Sequence, residues 1–109
     1  MKIKDAVVAL GSLAQETRLA VFRHLVAAGP EGVAAGDIAK KLKVAAPTLS
    51  FHLKELEHAG LIRAAREGRS IVYAVDVKAM RALLSYLMED CCGGRPEICN
   101  LDLKGAVCA

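Results

Sequence analysis

Residues 38–75 read IAKKLKVAAPTLSFHLKELEHAGLIRAAREGRSIVYAV, and this stretch decides the fold. Gly36-Asp37 opens a short helix, Ile38 to Leu42, with Asp37 as its N-cap. Lys43-Val44-Ala45-Ala46 is a tight connection. Pro47 suits the first turn of the next helix, where a missing backbone N–H costs nothing. That helix runs to about Ala59, with Leu49, Leu53 and Leu56 facing the core and Gly60 as the C-terminal glycine. The period then changes: Leu61 to Arg66 predicts a strand, Glu67-Gly68-Arg69 a turn, and Ser70 to Val75, rich in β-branched residues, a second strand. Two helices joined by a turn of about three to four residues make a helix-turn-helix. A hairpin straight after the second helix makes it winged.

The flanks supply three more helices. Ile3, Ala6, Val7, Leu10 and Leu13 fall on one face of a helix over 2–13. A second helix runs from about Gln15 to Ala28, with a stripe of Leu19, Phe22, Leu25 and Val26, and Gly29-Pro30 stops it. Glu31 to Gly36 is a loop or short extended piece. After the hairpin, Asp76 caps a last long helix with a stripe of Val77, Met80, Leu83, Leu84, Leu87 and Met88, predicted to run into Cys91-Cys92 before Gly93-Gly94 and Pro96 end it. The predicted fold class is mainly α with a β-hairpin wing (α+β), a winged helix-turn-helix. Residues 1–90 are expected to form this winged helix-turn-helix domain, the candidate for DNA binding and dimerisation argued below, and residues 91–109 a cysteine-rich sensing tail.

Composition bounds the function. At 109 residues there is room for one domain. Hydrophobic residues make up 54 %, and the mean hydropathy of +0.33 is high. The longest apolar runs, Ala6–Leu10 and Ile71–Val75, are nevertheless five residues, far from the about 20 that cross a bilayer. The surplus apolar surface points to a subunit interface. The N-terminus lacks a signal-peptide pattern, so a cytosolic location is expected. All four cysteines, Cys91, Cys92, Cys99 and Cys108, lie in the last 19 residues, which reads as a metal or redox site rather than a disulfide framework. An enzyme is not expected: the tail has neither a Cys-x5-Arg anion loop nor a Cys-x-x-Cys.

The net charge of +3 understates a local basic bias. Ile38 to Lys54 holds four lysines (Lys40, Lys41, Lys43, Lys54) and no acid, and the hairpin adds Arg63, Arg66 and Arg69 against Glu67. The helix starting at Pro47 presents Thr48, Ser50, Phe51, His52 and Lys54 as its solvent-facing front. Hydroxyls, an imidazole and an ammonium suit phosphate oxygens and base edges. Arg66 and Arg69, at the hairpin tip, suit backbone phosphate or the minor groove. With Lys43 and Pro47 these make up the candidate DNA-binding set, and the predicted partner is double-stranded operator DNA.

Leu13-Ala14-Gln15-Glu16-Thr17-Arg18-Leu19 is similar to the opening of the second helix in the ArsR/SmtB family of metal-sensing repressors. Pro47 to Leu56, with Ala59-Gly60-Leu61-Ile62, resembles that family's recognition helix and its exit into the wing; Arg66-Glu67-Gly68-Arg69 and Tyr73 resemble the wing. The sequence departs from the family pattern at Ala45, where Ser is common, and at Gln15-Glu16, where an acidic-Pro pair is common. The resemblance implies a homodimeric repressor, released from its operator by a metal or metalloid, that dimerises through its first and last helices. Ile3, Val7, Leu10, Met80, Leu84 and Leu87 are the candidate interface.

Two sensing sites familiar in that family are absent: Ala34 to Lys43 has no cysteine and Asp76 to Asp90 no histidine. What remains is Cys91-Cys92, a Gly-Gly, a Pro and the returning Cys99, similar to arsenite-sensing members with C-terminal cysteines. Trivalent arsenic and antimony form three bonds, and soft thiolates select soft ions. As(III) or Sb(III) on Cys91, Cys92 and Cys99 is therefore the expected inducer, with no organic cofactor, and nearby Arg95 and Lys104 favour thiolate. Cys108 leaves open a four-thiolate site for Zn, Cd or Pb. A Cu(I) site and a thiol redox sensor also stay open.

Overall fold

The computed structural model describes residues 1–88. The order is α1 (Ile3–Leu13), α2 (Glu16–Ala28), β1 (Val33–Ala34), α3 (Ala35–Leu42), α4 (Ala46–His58), β2 (Ile62–Glu67), β3 (Ser70–Val75) and α5 (Val77–Leu87). The three strands form one antiparallel sheet in the order β1-β3-β2. This is the winged helix-turn-helix that the sequence predicts. The extension of α5 to Cys91-Cys92, the boundary at residue 90 and all four cysteines lie outside the described residues.

Helix ends follow local chemistry. Gln15 caps α2, its Oε1 accepting from the Arg18 amide at 2.9 Å, and Asp76 caps α5 through the Ala79 amide at 3.1 Å. At the end of α4, Gly60 takes φ 82°, and the Leu61 amide reaches back to the Leu56 carbonyl at 3.1 Å. That is a Schellman closure, with Leu61 and Leu56 both buried beside it. Lys43 closes α3 in the same way without glycine, at φ 56° and ψ 47°, and the Val44 amide bonds the Ala39 carbonyl at 3.0 Å.

The core is built from Leu25, Ile38, Leu49, Leu53, Leu56, Leu61 and Val21, all fully buried. Burying each such side chain is worth about 1.5–3 kcal/mol over leaving it in water. α4 sits at the centre of this packing, against α1, α2, α3 and β2.

Three expectations are corrected. In α2, Val21 joins Phe22 and Leu25 in the core while Leu19 and Val26 are exposed, because the buried face is rotated from the predicted stripe. Helix α3 begins at Ala35 with Ala34 as N-cap, so Asp37 lies in the first turn and caps nothing. The cause is β1, which pairs Val33 with Tyr73 and Ala34 with Val72 and delivers an extended chain directly into the helix. Gly32 permits that approach: at φ +77°, a Cβ there would stand 2.6 Å from the Tyr73 carbonyl oxygen. Strand β2 starts at Ile62 and reaches Glu67, leaving a two-residue turn, Gly68-Arg69, between the paired Glu67 and Ser70. Positive φ at Gly68 alone of the two marks the hairpin-favouring II′ type.

Candidate nucleic-acid interface

Leu49, Leu53 and Leu56 anchor α4 in the core, as the spacing predicts. This turns Pro47, Thr48, Ser50, Phe51 and Lys54 to solvent, and all five are exposed. Phe51 is 57 % exposed among the described residues, which is unusual for a large aromatic. Positions 47, 50, 51 and 54 share one helical face. Ala45, the N-cap, supplies no side-chain acceptor, so the first amides of α4 also open toward solvent.

His52 is the exception among the predicted solvent-facing residues. It is 8 % exposed, on the inward side of α4 with Leu49, Leu53 and Leu56. Its Nδ1 lies 3.2 Å from Nη1 of Arg18, and its ring centroid is 5.5 Å from that of Phe51 at an interplanar angle of 63°. The reason is angular: on the helical wheel His52 flanks the leucine stripe, about 40° beyond Leu56, and Arg18 on α2 gives its polar edge a partner.

Lys43 is exposed on the α3–α4 turn, beside exposed Lys40 and Lys41. Arg66 and Arg69 are exposed at the hairpin tip, on either side of the Gly68 turn. α3 packs on α4, and α4 on β2. The lysines, the front of α4 and the wing arginines therefore ride on elements packed in sequence, and their relative positions are fixed by the core.

On α1, the small residues Ala6, Ala9 and Ser12 face inward, while Ile3 (67 % exposed) and Val7 (61 %) are uncovered, with Val8 and Leu10. α5 packs beside α1, with Leu83 buried and Val77, Leu84 and Leu87 exposed. Met80 differs from the rest of the predicted interface set: it is partly buried against its own chain's core. No group of three or more metal-binding side chains occurs among the described residues, and no helix among them is long and apolar enough to cross a membrane.

Arg18 is the site residue that the sequence reading did not single out. It stands in the Leu13–Leu19 segment, but its partner lies 34 positions away, and helical periodicity carries no signal of such a pair.

Fold and surface together define a winged helix-turn-helix protein of the DNA-binding class. Residues 13–64 match a helix-turn-helix domain family. An ArsR family transcriptional regulator of known crystal structure superposes with a TM-score of 0.70 at 27 % identity, over 83 % of this chain and 90 % of that one. HlyU from Vibrio cholerae N16961 is 30 % identical, with a TM-score of 0.63 over 80 % of this chain and 97 % of its own. The homodimeric winged helix-turn-helix DNA-binding domain of a possible ArsR-family transcriptional regulator from Mycobacterium bovis is 26 % identical, with a TM-score of 0.64 over 85 % of this chain and 86 % of that one. In sequence, the uncharacterized HTH-type transcriptional regulator YceK of Bacillus subtilis is 34 % identical over 59 residues, 54 % of this chain; the match spans 58 % of the length of that curated relative. In fold and in sequence the chain is similar to ArsR-family transcriptional regulators.

Proposed function

We propose that the chain is a transcriptional repressor that binds double-stranded operator DNA as a homodimer and is released when As(III) or Sb(III) binds Cys91, Cys92 and Cys99. The observation that carries the DNA part is the uncovered front of α4. Pro47, Thr48, Ser50, Phe51 and Lys54 face solvent, between the lysines of the preceding turn and the wing arginines. Hydroxyl and ammonium groups at the front of a helix in the major groove contact bases and phosphates. Lys43, Arg66 and Arg69 hold the backbone and set the register.

The dimer reading rests on the apolar face of α1 and α5. Among the described residues nothing covers Ile3, Val7, Leu10, Leu84 and Leu87, and a two-fold pairing of that face would bury them. The Mycobacterium bovis neighbour is itself described as homodimeric. Such a pair presents two recognition helices to half-sites about one helical turn apart.

The inducer reading rests on donor chemistry. Three thiols within nine positions, Cys91 to Cys99, with Gly93-Gly94 and Pro96 between them, match the three soft bonds that As(III) and Sb(III) form. Cys108 supplies a fourth thiol, which favours a second reading in which Zn, Cd or Pb is held tetrahedrally. Binding adjacent to α5 is proposed to shift the dimer and thereby the two copies of α4. A coupling of about 1–3 kcal/mol lowers operator affinity about 5- to 150-fold.

The test is release of a selected duplex at fixed salt, with arsenite, antimonite, zinc and cadmium compared side by side. Cys99→Ser is expected to abolish arsenite-induced release, and intact release in that variant would sink the three-thiolate site. Arg69→Ala is expected to lower the slope of log affinity against log salt by about one. An unchanged slope removes the wing from the contact set.

A further inference from the structure

Among the described residues, Arg18 is the side chain whose guanidinium hydrogen-bonds two other helices at once. Its Nε donates to the Ser12 carbonyl in the last turn of α1 at 2.7 Å, and its Nη1 lies 3.2 Å from Nδ1 of His52 on α4. Both ends are fixed. Ser12 is buried and its hydroxyl donates to the Ala9 carbonyl at 2.7 Å. His52 is buried at the edge of the leucine stripe of α4. Arg18's own backbone amide is held by the Gln15 cap.

The chemistry of the bridge is specific. A guanidinium has donors only, so Nδ1 of His52 accepts, and the neutral ring carries its proton on Nε2. The Ser12 carbonyl belongs to the end of α1, where carbonyls lack helical partners and a cation suits the dipole. A planar fork serves two acceptors in fixed directions, which a lysine ammonium does not reproduce. α1 carries the uncovered Ile3, Val7 and Leu10; α4 carries Thr48, Ser50 and Lys54.

We propose that Arg18 and His52 are positioning residues for DNA binding: the Ser12–Arg18–His52 bridge fixes the rotation of the recognition helix relative to α1, and His52 acts inward through Nδ1 rather than as a reader of bases. The proposal rests on the DNA-binding reading above. Rotation of α4 about its axis would pull Nδ1 from the guanidinium, so the bridge resists the motion that would misalign Ser50 and Lys54 in a groove.

The experiment uses the full chain and the tightest duplex recovered by it from a randomised duplex library. His52→Asn keeps an acceptor near the Nδ1 position, whereas His52→Gln places its amide near Nε2. His52→Asn is expected to bind within about threefold of the parent, and His52→Gln, His52→Ala and Arg18→Lys about tenfold more weakly. The Arg18→Lys, His52→Ala double variant should be no weaker than the worse single one, because both break the same bridge. The salt slope stays constant throughout, since no phosphate contact is removed. Long-range proton–nitrogen NMR of the free chain should show His52 protonated at Nε2, with that preference lost in Arg18→Lys. Thermal unfolding of each variant separates loss of affinity from loss of fold. Retained binding in His52→Gln with loss in His52→Asn, parental binding in Arg18→Lys and His52→Ala, or His52 protonated at Nδ1 overturns the proposal alone. A parent chain that enriches no duplex overturns the DNA reading and this proposal together.

Discussion

Ala45 caps α4 without a side-chain acceptor, and the next residue but one is proline, which has no N–H to offer. A serine at position 45 would therefore serve the Thr48 amide. Ala45→Ser is expected to stabilise the fold by about 1 kcal/mol and to raise the thermal midpoint by about 5 °C, read by calorimetry. Tyr73 gives a second expectation. Burial, and then the charge of Glu57, push its phenol above the ordinary 10.0. As pH rises through that value the unfolded chain loses the proton first, so it binds fewer protons than the folded chain and stability falls with pH. In urea unfolding across about pH 9–11, Tyr73→Phe should flatten that decline. At this scale the sequence was legible where a residue's role is its periodicity: Leu49, Leu53 and Leu56 are buried as their spacing requires. His52 was not, because its position on the wheel is ambiguous and the guanidinium that draws it inward belongs to another helix.

Helix α4, the hairpin and the cap of α5 follow from short-range signals: proline then glycine around α4, alternation with a Gly-Arg turn, and an Asx cap at Asp76. Strand β1 and the start of α3 do not. Two residues are too few to show alternation, and the pairing of Val33 and Ala34 is dictated by β3, some 40 positions downstream. The test of that pairing lies at Gly32. A methyl group there meets the Tyr73 carbonyl oxygen and Val72 Cγ1 at a backbone φ of +77°. Gly32→Ala is expected to cost about 1–3 kcal/mol, measured by denaturant unfolding, with the loss appearing as early exchange of the β1 and α3 amides.

For the molecule as a whole, the apolar surplus in the composition has a place: the outer faces of α1 and α5, with Ile3, Val7, Leu10, Leu84 and Leu87 uncovered. Within one chain, α1 packs through small residues, so its large side chains are free to meet another surface. If that surface is a second copy, a buried carboxylate at the centre should separate the pair. Val7→Asp is expected to halve the mass in sedimentation equilibrium while leaving the unfolding cooperative, and to weaken duplex binding through loss of the second half-site. The existence of this face was readable from helical spacing. Its division was not, since Met80 falls on the predicted stripe yet turns partly into its own core.

Lys43 holds the turn between α3 and α4 in a left-handed conformation that costs a lysine about 1–2 kcal/mol and a glycine almost nothing. The same residue is exposed, at the entrance to the recognition helix, where a phosphate contact is proposed. With that proposed contact, one position sets foldability against recognition. Lys43→Gly should make the chain harder to unfold and at the same time a poorer binder, with a salt slope lower by about 0.9. Two instruments, a calorimeter and a binding titration, would then move in opposite directions for one substitution. That pair of results would place the value of Lys43 in what it touches, not in how it folds.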